Sequence, residues 1–247
     1  MMNVFHITYE PQYKILDLHF WGCNLKCRGC YKNYDVFDLG LTENPLERLL
    51  SLPEASPPTR FLKFDEVLNH IKSINPEYTI FMGQEAVLDA ELPLLAAAIH
   101  ETTKSRIILL TNGLKMADLT HVDEVVFSFK AFNDDVHKQY TGGSNAQILT
   151  NFKKLYASGA PVQAEIAYIP GLVEEKEIED LARYLAGIDA DVPFRVTSYF
   201  AVPGAPWKPA GKDQVEKAAI RARLHLRNVT TITSDMKSSS WKPVRIF

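Results

Sequence analysis

Residues 15–31 read ILDLHFWGCNLKCRGCY, a stretch that joins a short apolar run to a cluster of cysteines. The run Ile15–Phe20 has the length and apolar character of a buried β-strand. Cys23, Cys27 and Cys30 follow it directly with the spacing C-x3-C-x2-C. In α/β proteins active groups gather at the carboxyl ends of strands. The loop is therefore the first candidate for a functional site.

The rest of the chain alternates further strand-like runs with stretches of helical periodicity. The predicted strands are Thr79–Met82, Arg106–Leu110, Val125–Phe129, Val162–Ile169 and Phe194–Thr197. The predicted helices are Asp65–Ile74, Asp89–Thr103, Asn145–Ser158, Glu175–Ile188 and Lys212–His225, with a poorly defined piece after Asn112. Six βα units of this spacing predict a parallel sheet with right-handed crossovers. An open partial barrel and a doubly wound sheet both satisfy the pattern.

Local signals refine this outline. Gly159 is expected to end its helix in a left-handed conformation, and Asp65 is expected to cap the start of another. The Pro-, Ser- and Glu-rich segment 44–60 is expected to be a long surface loop. The N-terminal segment 1–9 is expected to pair with Ile15–Phe20, and the tail from Val229 to be a strand followed by a loose end. No linker divides the chain, which predicts one domain over 1–247 with its barrel core at about 13–210.

Composition limits the class of protein. The chain has 247 residues and a net charge of −3, which favours neither a nucleic-acid partner nor an anionic membrane surface. No apolar run is long enough to span a bilayer. The start, MMNVFHITYE, lacks the pattern of a signal peptide. We therefore expect a cytoplasmic protein.

The three cysteines indicate a metal site rather than disulfides. Their number is odd and all lie within eight residues, whereas a disulfide framework spreads an even number along the chain. Three thiolates suit three irons of a [4Fe–4S] cubane, and the absence of a fourth cysteine leaves one iron open. Two other interpretations remain: a zinc site with His19 as a fourth ligand, and buried cysteines with no ligand.

The cysteine spacing after an early strand resembles the signature of the radical S-adenosylmethionine (SAM) superfamily. The resemblance implies a partial (β/α)6 TIM-like barrel, a [4Fe–4S] cluster held by Cys23, Cys27 and Cys30, and SAM bound to the open iron. It also implies reductive cleavage of SAM to a 5′-deoxyadenosyl radical that abstracts hydrogen from a substrate. The cofactors carry this chemistry, and the protein positions them and excludes water.

Further motifs extend the resemblance from about Ile15 to about Pro209. Gly83-Gln-Glu-Ala86 is similar to the Gly-Gly-Glu-Pro motif that receives the SAM amino group, and Thr111-Asn-Gly113 matches a family triplet. Lys130 resembles the lysine that reaches the SAM carboxylate in glycyl-radical-enzyme activases. The implied SAM contacts are Tyr31, Gly83, Gln84, Glu85, Asn112, Lys130 and Tyr168.

Several positions depart from the activase of pyruvate formate-lyase, which the segments 132–146 and 168–171 otherwise resemble. Leu110 and Ser128 replace the acidic residues of a cation site beside SAM. Gly29 stands where an aromatic residue usually packs on adenine, a role that Tyr31 is expected to take. Phe200 replaces a histidine, and with Trp207 it is expected to form an apolar wall.

Two functions follow as hypotheses. The first is a single-cluster, oxygen-sensitive activase that makes a glycyl radical on a partner protein. The second is a stand-alone radical SAM enzyme that modifies a small metabolite or another peptide. Both imply an electron donor such as flavodoxin or ferredoxin, and a non-catalytic iron–sulfur or zinc protein is the remaining class.

Overall fold

The computed structural model describes residues 1–233 and 241–247, and its strands form one sheet. The strands are β1 (Val4–Glu10), β2 (Ile15–Phe20), β3 (Tyr78–Gly83), β4 (Arg106–Thr111), β5 (Glu124–Phe129), β6 (Val162–Tyr168), β7 (Phe194–Ser198), β8 (Val229–Ile232) and β9 (Val244–Arg245). All the strands predicted from the sequence are present, with ends that differ by one residue at most. The loose end predicted after Val229 falls partly on residues 234–240, outside the described part.

The helices are α1 (Pro45–Ser51), α2 (Phe64–Ile74), α3 (Leu92–Thr102), α4 (Asp134–Thr141), α5 (Ala146–Ala157), α6 (Glu175–Ala186) and α7 (Lys212–Ala222). Short 3-10 turns follow the cysteine loop at Tyr31–Asn33 and Leu39–Leu41, and another precedes α3 at Ala86–Leu88. Among the described residues no helix is long and apolar enough to cross a membrane.

Strand order decides between the two architectures that the sequence left open. The sheet runs β8-β7-β6-β5-β4-β3-β2-β1-β9, and β2 to β8 are parallel neighbours in chain order. A doubly wound sheet reverses direction partway, which places helices on both faces. Right-handed crossovers that always step the same way place every helix on one face. The sheet is not closed, and the protein is a partial α/β barrel.

The N-terminal hairpin closes one side of this barrel. β1 runs antiparallel to β2, as predicted, with Thr8 opposite Asp17 and His6 opposite His19. Lys14 takes a left-handed φ of 52° in the turn. β1 covers the edge of β2 that would otherwise be bare, and β9 pairs antiparallel with the other edge of β1.

Alternation along the strands separates the helix-facing core from the barrel interior. Leu16, Leu18 and Phe20 of β2 pack with α2 and α3 in one apolar cluster. A second cluster joins strands β5 to β7 with the helices α5, α6 and α7. The opposite faces of the same strands are left to line the barrel interior.

Four sequence-based expectations about the helices were wrong. Segment 44–60 contains α1, because Pro45 starts a helical turn whose Leu49 is fully buried. Helix α2 begins at Phe64, and Asp65 does not cap it. Glu66 instead accepts a hydrogen bond from the backbone N–H of Lys63, the residue just before the helix. No helix occurs between β4 and β5 in the described structure, while α4 occurs where none was expected.

Helix ends elsewhere follow the local signals. Gly159, just beyond α5, has a φ of +79°, as predicted for a left-handed stop, and a Cβ placed there would meet no atom of the described residues within 4 Å. Asn133 caps α4 by accepting hydrogen bonds from the backbone N–H groups of Asp135 and Val136.

Candidate active site

A cavity of about 390 Å³ opens at the carboxyl ends of the parallel strands. Cys23, Cys27 and Cys30 all line it, together with residues from the ends of β3, β4, β5, β6 and β7. Its size lies within the usual range of small-molecule pockets. The cysteine loop therefore lies where the strand argument placed it.

Helix α4 anchors the cysteine loop. The backbone N–H of Lys26 donates to the carbonyl of Thr141 at 3.0 Å, and that of Arg28 donates to the carbonyl of Tyr140 at 2.9 Å. These are carbonyls of the last turn of α4, which lack partners within the helix. The loop is thus held by backbone bonds that do not depend on its side chains.

Two N–H groups approach the Cys23 sulfur. The backbone N–H of Leu25 lies 3.4 Å from Sγ, and the Asn112 amide nitrogen lies 3.7 Å from it. The same amide nitrogen donates to Asn24 Oδ1 at 2.7 Å, while Asn112 Oδ1 accepts from the Leu114 N–H at 2.9 Å. Asn112 is therefore fixed in orientation and connects the end of β4 to the cysteine loop.

Hydrogen bonds join the ends of β2 and β3 beside the loop. Gln84 Oε1 accepts a hydrogen bond from the Gly22 N–H at 2.6 Å, and the Gly22 carbonyl accepts one from Glu85 at 3.0 Å. Gly83 has a φ of +101°, and a Cβ there would lie 2.7 Å from the backbone of Phe20. Only glycine fits this close approach.

Glu85 is buried behind this turn and braces the neighbouring strand end. Its carboxylate accepts from Thr111 Oγ1 and from the Asn112 backbone N–H, both at 2.7 Å. Burial raises the pKa of Glu85, and these two hydrogen bonds and the Lys130 charge oppose the rise. The side chain holds Thr111 and Asn112 and does not itself line the cavity.

A chain of polar side chains crosses the interior wall. Lys130 Nζ donates to Ser128 Oγ at 2.9 Å, and Ser128 lies 3.4 Å from Glu165 Oε1. Glu165 also pairs with Arg195, whose Nε and Nη2 atoms lie 2.7 and 2.6 Å from Glu165 Oε2. Lys130, Ser128 and Glu165 line the cavity. The Glu165–Arg195 pair leaves Lys130 without a carboxylate partner of its own among the described contacts.

Aromatic rings occupy the space beside Gly29. A Cβ at Gly29 would lie 2.7 Å from the Tyr199 hydroxyl oxygen and 3.1 Å from the Tyr140 ring. Both tyrosines line the cavity, and Trp207 packs behind them at ring-centroid distances of 6.4 and 5.4 Å. The rings of Tyr140 and Tyr199 therefore form the cavity wall beside Gly29, which has no side chain of its own.

Electrostatics disfavour free thiolates in this cavity. Burial raises the pKa of Cys27 to about 12, with the nearby Cys30 and Cys23 adding to the rise and Lys130 opposing it. Burial also raises the pKa of Cys23. Burial therefore disfavours the free thiolates of Cys23 and Cys27, and a cationic group bound beside them would favour their ionisation.

Most of the residues predicted to contact a cofactor meet at this cavity. Tyr31, Gly83, Gln84, Asn112 and Lys130 line it with the three cysteines. Tyr168 does not, because its neighbours Ala167 and Ile169 face the cavity and alternation turns Tyr168 outward, where its hydroxyl lies 3.2 Å from Glu175. The cofactor roles of these residues, Glu85 and Tyr168 included, remain predictions.

Three residues that the sequence did not single out also line the cavity, namely Tyr140, Tyr199 and Glu165. Phe200 and Trp207 were expected to form an apolar wall; Phe200 lines the cavity, but Trp207 packs behind Tyr199. Tyr140 carried no signal because α4 was not predicted. Glu165 alternates with apolar residues in β6. This pattern predicts that one face of the strand is polar, but it does not predict that this face lines a cavity.

The fold and the site together define a partial-barrel enzyme with a thiol-rich loop at the carboxyl ends of its strands. The family model of the radical SAM superfamily matches residues 18–185, and the chain belongs to that superfamily. It is therefore a radical SAM enzyme, and a [4Fe–4S] cluster and SAM are its cofactors.

Individual proteins of known name or structure are also similar to this chain. A Methanocaldococcus jannaschii protein with the provisional name of a glycyl-radical enzyme activating enzyme is 26% identical, over 93% of this chain and 84% of its own. The pyruvate formate-lyase-activating enzyme of Staphylococcus aureus strain USA300 is 23% identical, over 77% of this chain and 76% of its own. A radical SAM methyltransferase structure from Sphaerobacter thermophilus shares the fold, with a TM-score of 0.64 at 16% identity, covering 96% of this chain and 72% of that one.

Proposed function

We propose that this enzyme activates a partner protein by removing a hydrogen atom from one of its glycine residues. Cys23, Cys27 and Cys30 hold the cluster in this proposal. The observation that carries it is the convergence of the three cysteines, Asn112 and Lys130 on one cavity. A one-electron donor such as flavodoxin or ferredoxin supplies the reducing equivalent.

The donor set fits a [4Fe–4S] cluster with one open iron. Three soft thiol ligands come from one loop, and the sequence has no fourth cysteine. Burial raises the pKa of Cys27 to about 12, which supports a cationic partner for its thiolate. The N–H groups of Leu25 and Asn112 near the Cys23 sulfur suit a cluster thiolate, because hydrogen bonds stabilise its negative charge and help to set the cluster potential.

When bound, the cluster and SAM would supply the electron transfer and the radical chemistry that removes the hydrogen atom. The chain's own residues bind and orient SAM. Lys130 offers an ammonium to the SAM carboxylate, and the close turn at Gly83 and Gln84 brings backbone groups to the same edge of the cavity. Tyr140 and Tyr199 form an apolar wall that excludes water from the site.

A glycine as the source of hydrogen is supported by the relatives. Two relatives that cover most of the chain carry names of activating enzymes, one for glycyl-radical enzymes in general and one for pyruvate formate-lyase. In this proposal one cluster uses all three cysteines of the sequence, which leaves none of them for a second cluster.

Changing Lys130 to alanine is expected to weaken SAM binding by about 10-fold or more, the usual effect of losing a charge-assisted hydrogen bond. The cluster absorption spectrum should not change, because Lys130 is not a cluster ligand. Equilibrium binding of SAM to anaerobic, cluster-loaded protein measures the effect. Lys153→Ala, which removes an exposed lysine of α5, is the matched control. Equal SAM affinity in both variants would contradict the role of Lys130.

Isotope transfer tests the function itself. A glycyl-radical enzyme encoded in the same genome would be prepared with deuterium at both α-positions of its glycines. It would then be incubated anaerobically with this enzyme, reductant and SAM. We expect deuterium in the 5′-deoxyadenosine by mass spectrometry and a glycyl radical by electron paramagnetic resonance.

Partner labelled with deuterium only in its alanine methyl groups is the control, and it should transfer none. Unlabelled 5′-deoxyadenosine from the glycine-labelled partner, with no protein radical, would overturn activation of that partner. Transfer from an added small molecule or another peptide in its place would identify a different radical SAM reaction.

A further inference from the structure

A buried polar cluster lies inside the barrel on strands β1 and β2, apart from the residues that line the cysteine cavity. Asp17 and His19 alternate with Leu16, Leu18 and Phe20, so they point away from the helices and into the barrel. Cross-strand pairing brings His6 beside His19, with ring centroids 4.8 Å apart. Asp38 reaches the cluster from the segment that follows the cysteine loop.

Several polar atoms of this cluster are buried and have no hydrogen-bond partner within residues 1–233 and 241–247. His19 is completely buried, and neither of its ring nitrogens has a partner in this part of the chain. The same holds for His6 Nε2 and for Asp17 Oδ1, whose residue is 5% exposed. Buried polar groups in folded proteins are almost always satisfied. Four such atoms in one cluster indicate a bound group that uses them.

The hydrogen bonds around the cluster prepare these atoms as metal ligands. His6 Nδ1 lies 2.6 Å from the Phe247 carbonyl oxygen, which can only accept, so Nδ1 carries the proton and Nε2 is left with its lone pair. A ring that donates to a carbonyl through one nitrogen and binds a metal through the other is the usual arrangement of a histidine ligand. Asp38 is oriented in the same way, by Thr8 Oγ1 and by the Gly40 N–H, both at 2.7 Å.

The spacing of the donor atoms suits one ion. Ligand atoms of Asp17, His19 and Asp38 all lie within 4.8 Å of one another. Ligand atoms around a tetrahedral zinc at about 2.1 Å are roughly 3.4 Å apart, so side-chain shifts of about 1 Å bring the donor atoms of these three residues into place. Imidazole and carboxylate ligands together suit zinc and similar transition metals better than magnesium or calcium.

Lys32 offers the main alternative account of the buried acids. Its ammonium is buried near Asp17 and Asp38, but its hydrogen bonds go to the carbonyls of Val36 and Phe37 at 3.1 and 2.8 Å. A neighbouring ammonium compensates the charge of the two carboxylates. It does not satisfy the unpartnered ring nitrogens of His6 and His19, whereas one metal ion binds His6 Nε2 and one ring nitrogen of His19.

We propose that Asp17, His19 and Asp38, with His6 as a fourth ligand, bind one divalent transition-metal ion of the zinc type. The ion would be separate from the iron of the cysteine loop, since none of its ligands lines the cysteine cavity. It would tie β1 and β2 to segment 32–38, which directly follows Tyr31. Its role would be structural, holding in place the chain that leaves the cysteine loop.

Cobalt binding to the full chain with all three cysteines replaced by serine tests the site without competing thiols. We expect one equivalent of Co²⁺ to bind, with visible absorption bands of a tetrahedral nitrogen–oxygen site. Adding His19→Ala should weaken binding by at least about 100-fold, since a four-ligand site loses about a quarter of its binding free energy. His100→Ala is the matched control, because His100 is partly exposed and lies beside Asp123 outside the cluster.

Two further measurements keep the test decisive. Asp38→Asn, which changes a partly exposed carboxylate, replaces His19→Ala if that variant does not fold by circular dichroism. Zinc in the unaltered, cluster-loaded chain would be measured by mass spectrometry beside its iron. Two results would overturn the proposal and leave Lys32 as the counter-ion. One is the absence of stoichiometric Co²⁺ binding to the protein with three serines, and the other is equal Co²⁺ binding after His19→Ala or Asp38→Asn is added to it. Neither result depends on SAM cleavage.

Discussion

Cys27→Ala is expected to abolish both the iron–sulfur absorption and the reductive cleavage of SAM. Two remaining thiols cannot hold three irons, and the chain contains no other cysteine that could replace the lost ligand. The measurement is 5′-deoxyadenosine and methionine by mass spectrometry, after anaerobic reconstitution with reductant and SAM. We expect both products to fall to the detection limit.

Lys26→Ala is the matched control for this change. Lys26 is an exposed residue of the same loop, and its contact with α4 uses the backbone N–H, which alanine retains. This variant should keep the cluster and SAM cleavage. SAM cleavage by a Cys27→Ala protein loaded with iron would refute the assignment of Cys27. Loss of the cluster in both variants would show that the loop itself, rather than the thiol, is the sensitive element.

Gly113→Ala is expected to cause the largest loss of stability among single changes at the site. Gly113 has a φ of +71°, and a Cβ there would lie 1.8 Å from Cζ of Phe127. That ring is completely buried and packs against Phe129 and Phe152 at centroid distances of 5.0 and 5.2 Å, so it has little room to move. Overpacking and the left-handed backbone together cost about 4 kcal/mol, which corresponds to a fall in Tm of roughly 10 °C.

Gly159→Ala separates the two causes. Gly159 has a similar φ of +79°, but nothing lies within 4 Å of a Cβ placed there. This variant should lose only the backbone part, about 1–2 kcal/mol. Thermal unfolding of both proteins by circular dichroism at equal cluster loading makes the comparison. Equal losses would mean that the Phe127 ring moves aside and that the contact does not limit stability.

Local pattern was sufficient for most of the secondary structure. Strands such as β2 and β6 were predicted because apolar, β-favouring residues alternate with other residues over a short run, and α6 because its apolar residues recur with helical periodicity. The pattern failed for α1 and α4. Helix α4 reads DDVHKQYT and has few apolar residues, so its burial of His137 and Tyr140 against the rest of the protein left little trace in the sequence.

The membership of the cavity was predictable where backbone position decides it. Gly83 ends a parallel strand, and Cys23, Asn112 and Lys130 each follow one. The carboxyl ends of such strands meet at one edge of the sheet. Glu85 and Tyr168 sit at the same strand ends but point elsewhere. Strand position alone does not say whether a side chain turns into the cavity or toward a neighbouring backbone.

The amino-acid sequence was enough to establish the alternating strand–helix order, the thiol loop after the first parallel strand and its suitability for an iron–sulfur cluster. These are properties of local periodicity and of the ligand chemistry of cysteine, and both can be read within a few residues. Folding in three dimensions decided that the sheet steps in one direction and stays open, that Glu85 braces Asn112, and that Tyr140 and Tyr199 fill the space beside Gly29. It also brought His6, Asp17, His19 and Asp38 together in the barrel interior. Contacts of this kind join residues far apart in the chain, and their geometry depends on the packing of the whole sheet.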